Sequence, residues 1–382
     1  MKSPRIAIIG AGPAGLTLAR ILHLHGLHAT VFEGEPCSAA RSQGGSLDMH
    51  PESGQYAIEC SGLTAEFNRI ARYDDQESRV YDKYGTLRFV DTDISAGDRP
   101  EVDRGELRQM LRDSLPPNLI RWDHQLSAIH AHHDPGRQET FHLVFRNGET
   151  ETFDLVVGAD GAWSRVRPLL SDVWPVYSGV AFVELGIDDV DIRHPELARL
   201  VGHGLTFAVG DSRALIGHRD ANAHIGIYAA LRAPKDWIDI GGLDQSSPDA
   251  LRSSLAAHFD SWSPDLLNLI YQAGDRITPR AIYALPVGHR WQHRPGVTLV
   301  GDAGHLMSPF GGDGANLAMQ DAADLALALV SNKDWNTAVQ SYETAMFPRA
   351  EQCAAGAKSS VDEVFSPVGL HHMLQEMESR HR

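Results

Sequence analysis

The chain has 382 residues, 42% of them hydrophobic and 22% charged, an ordinary globular balance with enough length for two cores. Asp and Glu number 50 against 34 Lys and Arg, and the formal net charge of -16 repels phosphate backbones and anionic lipid, which argues against nucleic-acid partners and stable membrane association. Cys37, Cys60 and Cys353 have no metal-ligand spacing, no apolar run reaches the ~18 residues of a membrane span, and no cleavage site follows the interrupted apolar start, so the expectation is a cytoplasmic protein with free thiols and no bound metal.

In chain order, Ile6-Ala7-Ile8-Ile9 is a short apolar run that reads as a buried parallel strand. Residues 10–15 form a turn, 16–25 a helix with apolar residues on nearly all faces, and Gly26 its stop. Residues 29–32 read as the next strand, completing a βαβ-type unit. Residues 106–114 predict a helix ended by Pro116-Pro117. Residues 140–157 predict a hairpin, with Phe141, Leu143 and Phe145 alternating ahead of an Asn147-Gly148 turn. Strand-like runs at 180–185, 205–209, 214–217 and 224–229 predict a separate antiparallel sheet. A buried strand at 297–300 and helices at 314–330 and 338–360 follow, and the residues after Pro367 give no clear pattern.

Three segments carry chemistry. In Gly10-Ala11-Gly12-Pro13-Ala14-Gly15, Gly10 permits a tight turn, Gly12 lets a pyrophosphate reach the backbone, and Gly15 lets helix and strand pack closely. Glu33, at the end of the second strand, is placed to accept from the ribose hydroxyls of FAD or NAD and repels a 2′-phosphate. The second segment runs from Asp154 through Asp160-Gly161 to Arg167 and reads as a buried strand entering a turn; Arg165 and Arg167 suit either a phosphate contact or a solvated helix start. In the third, Gly301-Asp302 ends a strand and puts a carboxylate where it can grip sugar or ribityl hydroxyls. Gly311, Gly312 and Gly314 would then let a flat ring lie against bare backbone at a helix N-terminus, which favours negative charge.

The order of these segments resembles the class A flavoprotein monooxygenases of the aromatic-hydroxylase type, with Asp160-Gly161 as their "DG" and Gly301-Asp302 as their "GD" signature. Residues 43–50 (QGGSLDMH) and 301–310 (GDAGHLMSPF) look like those of the tetracycline-inactivating flavin monooxygenases, with what that implies for antibiotic resistance. The resemblance spans about residues 5–350 and is specific only in the flavin motifs. It implies an α/β fold: a Rossmann-like FAD-binding domain at 1–75, 98–172 and 276–333, an inserted antiparallel-sheet substrate domain at 76–97 and 173–275, and a C-terminal bridging helix at 334–382.

The same resemblance implies that Gly10, Gly12, Pro13, Ala14, Gly15, Glu33, Gly45, Arg104, Asp160 and Asp302 bind FAD. Asp48 would sit near the isoalloxazine, and Pro309, Gly312, Asp313, Gly314 and Ala315 would border the ring. Arg41 would serve a transient NADPH. Glu184, His224, Gly226 and Phe310 would line a substrate cavity. Four positions depart from the relatives: Gly34 replaces an arginine after the ribose-binding acid, Asp313 replaces a glutamine, Glu184 aligns with a substrate-binding glutamine, and a substrate-binding arginine aligns near Gly204.

The implied reaction is NAD(P)H-driven hydroxylation of a polycyclic phenol or enol, such as a tetracycline, by O2 through a flavin C4a-hydroperoxide, carried out by a monomer with no certain catalytic side chain. The alternatives are an FAD-dependent reductase or dehydrogenase on the same fold, or a non-catalytic flavoprotein that sequesters a planar ligand. His130, His132 and His133 read as a surface loop, His305 as a structural histidine or a flavin-tuning one, and Trp237 and Trp262 as core or domain-contact residues.

Overall fold

The computed structural model describes residues 4–38, 40, 45–74, 76–91, 98–133 and 138–380. A five-stranded sheet forms one half, in the order β17 (Val297–Leu299), β11 (Leu155–Gly158), β1 (Ile6–Ile9), β2 (Ala29–Phe32), β7 (Ile120–Arg121). All four neighbouring pairs are parallel. Every residue of β1, β11 and β17 is buried, as continuous apolar runs covered on both faces must be. Helix Pro13–Leu24 and helix Gly314–Ser331 pack side by side, and both contribute to this core.

The other half is a seven-stranded sheet, in the order β16 (Thr278–Ala284), β12 (Val176–Ile187), β15 (His224–Arg232), β14 (Arg213–Asp220), β13 (Gly204–Gly210), β4 (Glu77–Asp82), β5 (Leu87–Asp91). It is mixed rather than wholly antiparallel, because β13 and β4 run parallel. β16 belongs here by its pairing with β12, although 276–333 is the last flavin-binding stretch expected from sequence. Alternate residues divide the sheet's faces. Ile225, Ile227, Ala229 and Leu231 close a core with helices Pro248–Ala257 and Pro264–Tyr271, and Trp237 and Trp262 are buried in it. On the opposite face Val180, Phe182, Ile216 and Ala230 pack against Val361, Val364, Phe365, Met373 and Met377.

Those last residues come from two C-terminal helices, Trp335–Val364 and Gly369–Arg380, and from Phe365 at the end of the first, where the sequence suggested one helix. The first bridges the halves: Trp335, Val339 and Tyr342 lie in the parallel-sheet core, and Val361 and Val364 lie on the seven-stranded sheet. The expected 140–157 hairpin is β9 (Thr140–Phe145) with β10 (Thr150–Phe153), and residue 155 onward leaves it for the parallel sheet. β8 (Leu126–His132) completes that three-stranded sheet, so His130 and His132 lie in a strand, not a loop. β3 (Ser46–Asp48) pairs with β6 (Glu101–Asp103) between the two halves. Among the described residues, no helix is long and apolar enough to cross a membrane.

Candidate functional site

The three motifs meet because β11, β1 and β17 are close in the parallel sheet, so the turns at their C-terminal ends share one edge. Gly10 has φ +109°, and a Cβ there would lie 2.3 Å from the Ala159 carbonyl oxygen; one on Gly15 would lie 2.0 Å from the Gly10 oxygen. Both positions therefore require glycine. Gly12 differs: nothing lies within 4 Å of its absent Cβ. It precedes a helix of 12 residues with no side-chain cap, so free N–H groups face open space, the geometry that receives a pyrophosphate.

Glu33 braces this turn, its carboxylate accepting from the Ala11 N–H at 2.8 Å and the Glu35 N–H at 3.1 Å. Buried Arg108 donates to the Ala11 carbonyl at 3.0 Å and to Glu35 at 3.0 Å. In the second motif, the Arg165 N–H donates to Asp160 at 2.7 Å, while Asp160 Oδ1 is buried without a partner. Burial raises the Asp160 pKa against its hydrogen bonds from Ser164 and the Arg165 backbone. Arg167 neither meets phosphate nor starts a solvated helix. It is buried, donating to the carbonyls of Ala303 at 3.1 Å and Ala162 at 2.8 Å, and so ties the second motif to the third.

At the third motif, a Cβ on Gly301 would lie 2.7 Å from Ala318 Cβ and 3.8 Å from Ala14 Cβ. The Asp302 carboxylate makes no hydrogen bond to the described residues, and burial raises its pKa against the opposing charges of His305 and Arg104. His305 is bonded to buried Asp321 at 2.5 Å, which also accepts from Arg349 and from the Gly301 N–H. Gly314 opens a helix of 18 residues with no side-chain cap and nothing within 4 Å of its absent Cβ.

Around that helix end stand residues the sequence reading missed. His50 Nε2 lies 2.8 Å from Asp48, and its Nδ1 lies 3.6 Å from Asp313. Asn316 donates to the Asp48 carbonyl at 2.8 Å and accepts from the His50 N–H at 2.9 Å. Burial raises the Asp313 pKa, with His50 opposing and Asp48 reinforcing the rise. Burial also works to raise Asp48, but the His50 hydrogen bond and charge leave it lowered. The Asp-x-His spacing at a strand end was the available signal, since it puts both side chains on one side.

The sheet face opposite is aromatic at one side and charged at the other. Phe310 packs edge-on against Phe182 and Phe365, at 5.5 Å and 5.2 Å between centroids. Tyr228 is tilted against Phe182 at 5.5 Å and brings its hydroxyl 3.3 Å from the place of a Gly45 Cβ. Glu184, directly opposite Tyr228 in the β12–β15 register, is held by Arg280 at 2.6 Å. His224 pairs with Asp188 at 2.7 Å, and Gly226 opposes both Gly186 and His218, leaving two neighbouring positions without side chains. His218 lies between Asp220 at 3.0 Å and Glu101 at 3.3 Å. Its burial lowers the pKa, but both carboxylates outweigh that and push it up to about 10. The alternation His224, Gly226, Tyr228 could have flagged Tyr228 in the sequence.

A Cβ on Gly204 would lie 2.1 Å from the Glu77 carbonyl oxygen, so the tight β13–β4 pairing leaves no room for an arginine there. Arg104 opens a helix capped by Asp103, its N–H donating to the Gly45 carbonyl at 3.1 Å, and its charge acts on both Asp302 and Tyr228. Pro309 and Ala315 lie in the loop and helix start beside Gly312 and Gly314. Arg41 lies outside the described residues. Among the described residues, no three His, Cys, Asp or Glu gather to hold a metal.

Comparison with known proteins agrees with this geometry. The family model described as "FAD binding domain" matches residues 4–209 and 283–357. The chain is 34% identical to Monooxygenase penA of Penicillium thymicola, covering 91% of this chain and 92% of that one. It is similar in structure to Klebsiella pneumoniae HpxO complexed with FAD and uric acid, at TM-score 0.80 and 21% identity, covering 99% and 93% of the two chains. Tetracycline destructase Tet(55) gives TM-score 0.73 at 23% identity, covering 94% and 89%. At these identities the two solved structures speak for the fold alone.

Proposed function

We propose, from the premise that the chain belongs to the FAD binding domain family and is an FAD-dependent monooxygenase, that it hydroxylates a planar phenol or enol with NADPH as reductant. One observation carries the reading. At the far end of the cradle that runs from Gly12 past Asp302 to Gly314, Phe310 of the loop Pro309–Gly311 packs edge-on against Phe182 of the seven-stranded sheet, and Tyr228 beside Phe182 brings its hydroxyl to Gly45, so aromatic rings border the ring end of the cradle. The partnerless Asp160 oxygen, the unbonded Asp302 and the two open glycines suit a long ligand with donors along it and acceptors at its phosphates. When bound, reduced FAD supplies the electrons and the activation of O2.

The protein's own part is placement and charge. Gly12 and the helix behind it would hold the pyrophosphate, Asp302 would hold the ribityl hydroxyls, and the N–H groups of residues 313–315 would meet the pyrimidine edge, the Gly312 N–H being donated to the Pro309 carbonyl instead. Tyr228 orients the substrate ring, and the Glu184–Arg280 pair offers it one acceptor and one donor. Arg41 would serve the nicotinamide. A tetracycline is one member of this substrate class; Glu184 and the closed site at Gly204 favour other polycycles. We take the protein as a monomer of two units, with β16 assigned to the substrate unit by its pairing.

The test is NADPH consumption in air with and without a panel of mono- and polycyclic phenols, a tetracycline included, followed by mass spectrometry under labelled O2. Substrate-stimulated consumption with one labelled oxygen in the product is expected. Consumption without label would support the reductase reading, and binding without turnover the sequestering one.

A further inference from the structure

Two carboxylates share one histidine where the glycine loop meets the long helix. Asp48 is 2.8 Å and Asp313 3.6 Å from the two ring nitrogens of His50, whose side chain is only 6% exposed. Asn316 pins the backbone at both Asp48 and His50, so the strand end cannot slide along the helix. Arg99 and Glu52, 3.8 Å apart, also act on Asp313, and burial with the Asp313 charge raises the pKa of the Cys353 thiol on the helix Trp335–Val364.

The cluster stands at the ring end of the cradle. Ala318 touches the place of a Gly301 Cβ beside Ala14, and Gly314 lies one turn earlier on the same helix. A ligand that passes Gly12 and Asp302 therefore needs about 6 Å more along the helix axis to reach Gly314. There it meets a helix N-terminus, which favours negative charge, and two acids, which oppose it.

We propose that His50 is a positioning residue that sets the flavin's midpoint potential by binding Asp48 and Asp313 into one charge-sharing cluster against the ring. The inference rests on the flavin premise of the preceding subsection. Two electrons and one proton entering oxidised flavin leave the ring with one additional negative charge. A histidine held between two carboxylates can take up a proton and offset one of their charges, which glutamine cannot do, whereas asparagine at position 313 removes one of those charges outright. His50→Gln therefore disfavours reduction, and Asp313→Asn favours it. A purely structural role for His50 predicts no such opposition of sign.

The experiment is anaerobic reduction of the FAD-loaded protein against a reference dye, followed by flavin absorbance, with neither NADPH nor phenol present. At fixed potential, His50→Gln raises the oxidised-to-reduced ratio about tenfold, ~30 mV for a two-electron couple, and Asp313→Asn lowers it by a similar factor. The double variant falls between them. Shifts of the same sign, or changes under about twofold, overturn the proposal. If His50→Gln does not fold, Asp313→Asn decides alone, and the absence of its positive shift is fatal. A wild-type protein that takes up no FAD overturns the flavin premise and this inference with it, whereas unmoved potentials overturn the inference alone.

Discussion

The two halves of this molecule build their parts of the site from different materials. The parallel-sheet half uses backbone: glycines without room for a methyl group, uncapped helix ends, and acids at strand ends. The seven-stranded half uses side chains brought together by strand pairing, such as Tyr228 opposite Glu184 and Arg280 bonded to Glu184. A backbone site tolerates little change where chain meets chain, and a side-chain site tolerates replacement one group at a time.

The largest effect should come from Gly15→Ala, whose Cβ would lie 2.0 Å from the Gly10 carbonyl oxygen. Steric exclusion of this kind belongs to the severe class, above about 4 kcal/mol, and denaturant unfolding should find the variant unfolded or close to it. Gly12→Ala sharpens the contrast, since its Cβ meets no protein atom within 4 Å. Its unfolding midpoint should stay near wild type while FAD affinity, read by fluorescence, weakens roughly tenfold or more through the lost pyrophosphate approach. Equal loss of stability in both variants would break the distinction between a packing glycine and a binding glycine.

On the sheet side, His218 ties stability to pH. Its folded pKa of about 10 stands above the ordinary histidine value. The stabilisation is therefore complete below about pH 6.5 and is lost as pH rises toward about 10. In His218→Gln that decline should flatten, and thermal melts from pH 6 to 10 would reveal an unchanged slope if the Glu101 and Asp220 contacts contribute nothing. Glu184→Gln should have the smallest effect, below about 1 kcal/mol, because its partner Arg280 is half exposed. Its consequence should appear in KM for the phenol rather than in melting temperature.

Much of the flavin half was legible beforehand. Ile6-Ala7-Ile8-Ile9, the glycine turn and Glu33 signal their structure within 30 residues, because a parallel strand and its phosphate turn are local features. The 180–229 runs announced strands but not their order, and β4, which arrives from residue 77 to pair parallel with β13, left no sign of its partner. Arg167 shows the same limit. Its sequence context suited phosphate or solvent, and only the approach of β11 to β17 turned it into a buried clamp between carbonyls.

The sequence by itself determined where the cofactor's turns are and which of their residues must be glycine, since those demands come from steric limits on a few consecutive residues. Tertiary structure alone decided that His50 joins Asp48 to Asp313, that Arg280 claims Glu184, and that Gly204 has no room for a side chain. Each depends on segments far apart in the chain, and their meeting is set by how sheets and helices bury their apolar faces together, a choice that no short stretch of residues encodes.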